Sequence, residues 1–244
     1  MPLIDHLEEL RHRAIKSLLS IVLASAISLF FIKDIVKILE SAAGSINFLQ
    51  LAPGEYLFVS IKVAGYSGLT ASLPYILFQV LAFILPGLTK KERRLIAPAV
   101  AGSAILFIGG LFFAWWALIP AALNFLINYG ADVVEPLWSI DKYLDFVILL
   151  MLSTGLAFQL PILQLILGAF GLIKWKSMLA SWRWVILGSA IAGAVLTPST
   201  DPLTMLILSS VISLLFIAGV ALVAMTEKFQ QQIPAISHPQ SKAK

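Results

Sequence analysis

Six long runs of apolar residues, separated by charged connections or connections that contain Pro and Gly, constrain the fold of this chain more than any other feature. A membrane-spanning helix needs about 20 mostly apolar residues. The chain is 59% hydrophobic and 12% charged, whereas an ordinary soluble domain is about 25% charged. The sequence therefore predicts an all-α membrane protein with six transmembrane helices, in the runs 17–33, 58–85, 97–120, 144–169, 182–197 and 203–225.

Prolines within these runs predict bent helices, because proline lacks a backbone N–H and its ring clashes with the preceding turn. Pro74 lies in the second run, Pro120 closes the third and Pro161 interrupts the fourth. The fifth run has about 16 residues and reaches only about 24 Å, which is less than a hydrocarbon core of about 30 Å. We expect local thinning of the bilayer there.

The distribution of basic residues predicts the orientation. Of the 17 Lys and Arg residues, only Lys33, Lys37, Lys62 and Lys142 lie in segments that would be extracytoplasmic if the N-terminus is cytoplasmic. The other 13 lie on the cytoplasmic side, since 17 less four is 13, and the positive-inside rule therefore predicts an N-in, C-in topology.

The same topology divides the chain into two parts. Residues 1–228 form the expected six-helix transmembrane domain, and residues 229–244 form a polar cytoplasmic tail that we expect to be disordered. The first apolar run follows a segment with Asp5, Glu8 and Glu9, and no clear cleavage site follows it, so we interpret it as a retained helix.

Composition argues against several classes of chemistry. The chain has no cysteine, and its three histidines lie in charged terminal segments, so we expect no metal site, no thiol catalysis and no enzymatic activity. No Gly-Lys-Ser/Thr phosphate loop is present, which argues against a nucleotide cofactor. The formal charge of +4 is interpreted as topology and not as a sign of nucleic-acid binding.

A first charged island surrounds Glu9. Residues 5–16 have the apolar spacing of an amphipathic helix lying along the membrane interface. Glu9 and Arg13 are four residues apart, and Glu8 can reach Arg11 or His12, so one interpretation is a helix stabilised by its own salt bridges. The other is that the Glu9 carboxylate, placed beside the lipid headgroups, binds a guanidinium through two parallel hydrogen bonds.

A second island surrounds Glu92, and it has the same two interpretations. Thr89 lies three residues before Glu92, as in a capping box, and the flanking basic residues suit a cytoplasmic loop. Alternatively, Glu92 and Glu9 together bind adjacent arginines of a cationic peptide. Lysine presents a point charge and does not match the guanidinium fork, so two such carboxylates would select for arginine.

Two polar residues stand out in or beside the membrane spans. Gln159 is well inside the fourth run, and it is either functional or a hydrogen-bonding group between helices. Asp201 precedes Pro202, a pattern typical of a helix N-cap followed by proline at the first helical position.

Several motifs, taken together and in order, resemble the TatC family, the multispanning receptor subunit of the twin-arginine protein translocase. They are the His-Leu-x-Glu-Leu-Arg-x-Arg motif at residues 6–13, Ala52-Pro53-x-Glu55, Pro74, Gln79-x-x-x-Phe83-x-x-Pro86-x-Leu88, Glu92-Arg93-Arg94, Pro120, Phe158-Gln159-x-Pro161, and Leu196-Thr197-Pro198 leading to Asp201.

The resemblance implies a glove-shaped six-helix bundle that binds twin-arginine signal peptides at its cytoplasmic face. It implies that Glu9 and Glu92 are the arginine partners, and that Arg11, Arg93 and Arg94 support that surface. Pro74, Phe83, Gln159 and Asp201 match further family positions, which suggests roles in partner contact or as intramembrane polar groups.

The resemblance also implies the partners. Family members work with single-span subunits of the TatA and TatB type, self-associate, and export folded cargo across a membrane with the proton motive force. Two departures bear on this: Gln159 stands where many members carry Glu, and Met205 stands where Gln is frequent. Gln159, with the Ser-Thr-Asp-Pro turn at 199–202, suggests a photosynthetic-type member. A bacterial cell membrane is expected, with a thylakoid membrane as the alternative.

Two other classes of protein agree less well with the sequence. A proton-coupled secondary transporter of small solutes would use broken helices, such as those expected at Pro74 and Pro161, but it would also need charged groups near the membrane midplane. An intramembrane hydrolase would need a nucleophile and a base, and the terminal positions of the histidines argue against it.

Overall fold

A computed structural model describes residues 3–44, 46, 48–84, 96–129, 137–197 and 201–232. Within these ranges the chain forms ten α-helices, one π-helical turn and two short strands. The helices are α1 (Leu3–Phe30), α2 (Ile32–Ser41), α3 (Glu55–Ile84), α4 (Ile96–Phe113), α5 (Ile119–Asn128), α6 (Ile140–Ala157), α7 (Leu160–Ala169), α8 (Trp175–Ala180), α9 (Trp182–Leu196) and α10 (Pro202–Gln232); the π-helical turn is Ala114–Leu118, and the strands are β1 (Phe48–Leu49) and β2 (Trp138–Ser139).

Five helical segments of the described chain are long and apolar enough to cross a membrane, and the 15-residue α9 is a shorter apolar helix. The five are Ile4–Phe30, Glu55–Phe83, Pro98–Asn128, Ile140–Ala169 and Pro202–Lys228. Large apolar side chains along their outer faces are exposed, as expected for surfaces that face lipid and not water.

Contacts between the helices define two faces of the bundle. The N-face is the face at which α1 begins. Ser72 in α3 donates a hydrogen bond to the Ser20 carbonyl of α1, and Arg13 contacts Gln79, so α1 and α3 are antiparallel. The end of α3 therefore lies at the N-face. Contacts between other helices, such as Ser103 with Gln159, Ser189 with Ser213 and Gly168 with Val223, give the directions of the remaining helices. They place the start of α4, the end of α7, the start of α9 and the end of α10 at the N-face as well.

The interior is built around α6. Val147 and Leu150 of α6 are completely buried, and they pack in one cluster with Val59 of α3, Leu118 of the π-helical turn and Leu208 of α10. Close helix contacts flank this cluster, because a β-carbon on Gly155 would lie 2.6 Å from the Phe107 ring. The packing of α4 against α6 therefore depends on small residues at their crossing, as is common between membrane helices.

The face opposite the N-face carries the non-helical structure. Strands β1 and β2 pair in parallel, with Phe48 opposite Trp138. Glu55 at the start of α3 accepts hydrogen bonds from the Leu51 and Ala52 backbone and from the Ser139 hydroxyl. These bonds connect β2 and the segment that follows β1 to the start of α3, which accounts for the Ala-Pro-x-Glu pattern found in the sequence.

The structure corrects the expected path of the N-terminal segment. We predicted an interfacial helix at 5–16 followed by a span at 17–33, but α1 runs without a break from Leu3 to Phe30. The charged first turns are stabilised by packing against the end of α3, so they continue the span. Helix α2 and the two strands were not predicted, because their short segments give no long periodic signal.

The predicted disruption of a helix by proline is confirmed at Pro161. Pro161 would clash with the carbonyl four residues earlier, and α6 ends at that residue, Ala157, before α7 begins at Leu160. The third span continues past Pro120 to Asn128 after the π-helical turn, so it is longer than predicted. Pro74 instead lies inside the uninterrupted helix α3.

The last helix extends further than its apolar run. Helix α10 continues to Gln232, so the first four residues of the segment predicted as a disordered tail are helical. Residues 233–244 lie outside the described residues.

Candidate functional site

Side chains of α1 and α3 meet at the N-face. His6, Glu9 and Arg13 share one face of α1, at i, i+3 and i+7, and Gln79 and Phe83 are one turn apart near the end of α3. The His6 and Phe83 rings stack with centroids 4.3 Å apart and planes inclined by 19°. Phe83 therefore lies beside the first charged island, a proximity that the sequence did not predict.

Arg13 connects the two helices through its guanidinium. Nε and Nη2 donate hydrogen bonds of 3.0 and 2.7 Å to Oε1 of Glu9, and Nη1 donates one of 3.0 Å to Oε1 of Gln79. Gln79 is 5% exposed, whereas the Glu9 and Arg13 side chains are 24% and 25% exposed. A buried amide thus orients a partly exposed ion pair.

The arrangement leaves acceptor capacity on Glu9. Both bonds from Arg13 go to Oε1, and among the described residues Oε2 accepts no hydrogen bond. A carboxylate accepts up to about four hydrogen bonds, and a second guanidinium can therefore bind beside the first. The salt bridge predicted between Glu9 and Arg13 is confirmed, and it is compatible with the binding role.

Charged side chains surround a shallow open cavity at this end of α1. Its volume is about 450 Å³, and it is lined by Asp5, Glu8, Glu9, Arg11, His12, Arg13 and Lys16. Arg11 pairs with Glu8 at 3.6 Å, with both side chains about 70% exposed. Such an exposed pair contributes less than about 1 kcal/mol, so Arg11 has little to hold it in one place.

Three of the residues expected in the site lie outside the described residues, namely Glu92, Arg93 and Arg94. The capping box from Thr89 to Glu92 lies outside them as well. The expectation that Glu92 joins Glu9 in one site is therefore still a prediction.

Gln159 lies in the turn between α6 and α7 and faces α4. Ser103 donates a 2.6 Å hydrogen bond from its hydroxyl to Oε1 of Gln159, and Nε2 of Gln159 donates one of 3.2 Å to the Ser103 carbonyl. Both residues are buried, at 5% and 1% exposure. Gln159 thus forms the hydrogen bond between helices that one of its two interpretations expects.

Asp201 caps α10 as expected. Its carboxylate accepts a 2.8 Å hydrogen bond from the backbone N–H of Thr204 and another from the Thr204 hydroxyl, and Pro202 opens the helix.

Pro74 lines an apolar cavity of about 500 Å³ between helices, together with Phe107 and Met151. Pro74, Gln159 and Asp201 are thus separate from the N-face site, and of the expected residues that the structure describes, only Phe83 lies with Glu9 and Arg11.

Sequence reasoning missed two polar features. Lys62 of α3 pairs with Asp141 and Asp145 of α6 at 2.6 and 2.8 Å, near the face opposite the N-face. A lysine just inside a span is a signal that could have prompted a search for acidic partners. Gln164 of α7 is buried against α10, and neither of its amide atoms has a hydrogen-bond partner among the described residues.

A family model described as the Sec-independent protein translocase protein TatC matches residues 5–210 of the chain. The chain belongs to the TatC family. TatC proteins similar to it include one from Synechocystis sp., which is 54% identical over 93% of this chain and 90% of that protein. The chloroplastic TATC protein of Arabidopsis thaliana is 48% identical over 93% of this chain and 67% of its own length.

The fold agrees with this membership. A crystal structure of the twin-arginine translocase receptor TatC matches with a TM-score of 0.79 and 30% identity, over 90% of this chain and 98% of that one. The chain is thus a multi-pass membrane protein and a TatC component of the Sec-independent protein translocase. The family is one of receptor subunits and not of enzymes.

Proposed function

We propose that this TatC protein captures twin-arginine signal peptides at its N-face and forms the core of a Tat translocase that exports folded proteins. Glu9 and Glu92 bind the two arginines of the peptide, and Arg11, Arg93 and Arg94 support the surface around them. The site acts by binding alone, and no cofactor takes part.

One observation carries this proposal: the Glu9 carboxylate is partly exposed in the second turn of α1, at the N-face, and a buried amide fixes its orientation through Arg13. A carboxylate held in this way loses little side-chain freedom when a guanidinium binds, so preorganisation favours binding. An incoming arginine can add a charge-assisted hydrogen bond to Oε2, whereas lysine offers no planar fork.

The topology that goes with this function places the N-face in the cytoplasm. Helix α9 is the sixth membrane span, and its 15 residues are accommodated by a locally thinner bilayer. Export then uses the proton motive force, with TatA- and TatB-type single-span subunits and further copies of this chain as partners. Membership of the TatC family supports these points.

The transporter alternative gains no support from a specific observation. The ion pairs of the described residues lie near helix ends, at Glu8–Arg11, Glu9–Arg13 and the Lys62 cluster. A solute carrier would instead place its ionisable groups at the membrane midplane.

The test is equilibrium binding of a twin-arginine signal peptide and its twin-lysine counterpart to the purified chain. We expect the arginine peptide to bind more than tenfold tighter, and Glu92→Lys to abolish binding. Glu9→Ala should weaken binding less than Glu9→Lys, because reversal adds repulsion to the lost pairing. Glu40→Lys makes the same charge change on α2, near the opposite face, and should bind as the native chain does.

Two results would contradict the proposal. Equal affinity for the arginine and lysine peptides would remove the basis for guanidinium recognition. Undiminished binding by a well-folded Glu92→Lys variant, judged by an unchanged thermal midpoint, would exclude that carboxylate from the site.

A further inference from the structure

A second charged surface lies at the N-face, away from Glu9. The basic–aromatic patch comprises the cations and tryptophans around α8, the start of α9 and the end of α10. Its members are Lys174, Trp175, Lys176, Trp182, Arg183, Trp184 and Lys228.

Helix α8 is held in place at the end of the bundle. The backbone N–H of Trp175 donates a 3.0 Å hydrogen bond to Oε1 of Glu227 in α10. Met178 is 5% exposed and packs against Val220 and Val223. Lys174 and Lys176 are therefore positioned beside the end of α10, where Lys228 lies.

The four cations of the patch have no acidic partners among the residues that the structure describes. Lys174, Lys176, Arg183 and Lys228 are exposed, and none of them forms an ion pair with another residue in the described part of the chain. The nearby Glu227 is used to cap α8. By contrast, Arg11, Arg13 and Lys62 are all paired. Within the described residues the patch thus presents an excess of positive charge, with four cations near one carboxylate.

Two of these cations form cation–π contacts with tryptophan rings. Nζ of Lys176 lies 5.7 Å from the ring centroid of Trp175, and the guanidinium carbon of Arg183 lies 5.6 Å from that of Trp182. Trp182 and Trp184 are 52% and 76% exposed. Exposed indoles at the ends of membrane helices lie at the level of the lipid headgroups, and the adjacent cations extend to the same depth.

We propose that the basic–aromatic patch binds anionic phospholipid headgroups of the leaflet at the N-face. The phosphate accepts hydrogen bonds from Lys176 and Arg183, and the acyl chains lie along the exposed apolar surface of α9. This surface includes Ile186, Leu187 and Ile191, each more than half exposed. The inference is independent of signal-peptide capture, since it uses no residue of that site.

A lipid fits this surface better than a soluble anion does. Free phosphate would use only the cations, whereas a lipid also covers the tryptophans and the apolar face of α9. Because α9 has only 15 residues, the headgroup layer must come closer to the membrane centre there, which brings the phosphates to the level of Trp182 and Arg183.

The experiment measures quenching of tryptophan fluorescence by brominated lipids. The full chain is reconstituted in phosphatidylcholine vesicles that contain a minor fraction of brominated phosphatidylglycerol or brominated phosphatidylcholine. We expect the anionic lipid to quench the fluorescence more strongly. Its association constant should rise about fivefold for each Lys or Arg side chain that the headgroup contacts. The preference should decrease as salt is raised, because screening weakens the attraction.

Matched variants separate the patch from general surface charge. Lys176→Gln/Arg183→Gln should reduce the preference at least fivefold. Lys33→Gln/Lys37→Gln removes the same charge from exposed lysines near the opposite face and should leave the preference unchanged. Lys176→Arg/Arg183→Lys keeps both positive charges and should retain the preference for the anionic lipid. This variant shows that the loss in the glutamine variant comes from the lost charge and not from altered folding.

Three results would overturn the inference. They are equal quenching by both brominated lipids in the native chain, a full preference in the folded Lys176→Gln/Arg183→Gln variant, and displacement of the brominated anionic lipid by inorganic phosphate at constant ionic strength. The last would identify a phosphate site instead of a lipid surface.

Discussion

Arg13 shows how one residue can serve both the fold and the proposed site. Its guanidinium joins Glu9 of its own helix to the buried Gln79 of α3. The i,i+4 pair with Glu9 was expected from sequence spacing, and alone it would contribute only about 0.2–0.5 kcal/mol. The contact with Gln79 converts a local pair into an interhelical one, because a charged donor bonded to a neutral buried acceptor contributes about 1.5–3 kcal/mol.

Gln159 gives a prediction at the scale of single residues. Gln159→Leu leaves the buried Ser103 hydroxyl without its acceptor and should lower the free energy of unfolding by about 1–2 kcal/mol. Ser103→Ala should cost about as much by itself. The double variant should cost less than the sum of the two, because the interaction is lost only once. Denaturant unfolding in detergent measures this, and strict additivity would show that the bond contributes nothing.

Among the helices, α1 and α3 cross in close contact. The two helices are in contact from His6 and Phe83 at the N-face to Ser25 and Gly68 deeper in the bundle. A β-carbon on Gly68 would lie 2.5 Å from the Cα of Ser25, so these backbones can approach only because Gly68 has no side chain.

Gly68→Ala should therefore push α1 from α3 and lower stability by about 1–3 kcal/mol. It should also weaken peptide binding, since Glu9 and Arg13 move with α1. Gly65→Ala is the control on the same helix: no atom lies within 4 Å of its added carbon, and the better helix propensity of alanine makes it neutral or stabilising. Thermal midpoints of the two variants test this, and equal midpoints would contradict the close crossing.

At the scale of the whole molecule, polar contacts hold both ends of an apolar bundle. Arg13, Glu9 and Gln79 join α1 to α3 at the N-face, and Lys62 joins α3 to α6 near the opposite face. Helix α3 therefore takes part in both, and it connects the proposed peptide site to the β1–β2 pair through Glu55.

Lys62→Met should destabilise the bundle more than the triple variant Lys62→Met/Asp141→Asn/Asp145→Asn. The single change leaves Asp145 without its cation and Asp141 with only the exposed Lys142, 3.9 Å away, whereas the triple change removes both carboxylate charges as well. Because these side chains are 25–40% exposed, we expect a difference on the order of 1 kcal/mol that decreases with salt. Unfolding at low and high ionic strength measures it, and a triple variant less stable than Lys62→Met would exclude charge pairing as the cause.

Much of the candidate site was visible in the sequence. The motif at residues 6–13 identified Glu9 and its pairing with Arg13, and Phe83 was a motif position. The contact of Phe83 with His6 and the contact of Gln79 with Arg13 were not predicted. Both pairs join segments that are far apart in the chain, since Arg13 and Gln79 are separated by 66 residues. Local periodicity carries no information about contacts at such separations.

The sequence by itself determined that the long apolar segments are helical, that a helix is interrupted before Pro161, how α10 is capped and to which family the chain belongs. These properties depend on residues within a few turns of each other. Only the tertiary structure decided which helix faces which, and with it the contacts Arg13–Gln79, Gln159–Ser103 and Lys62–Asp141. The physical reason is that membrane helices are apolar on their lipid-facing and interior sides alike, so the sequence pattern does not distinguish the two sides.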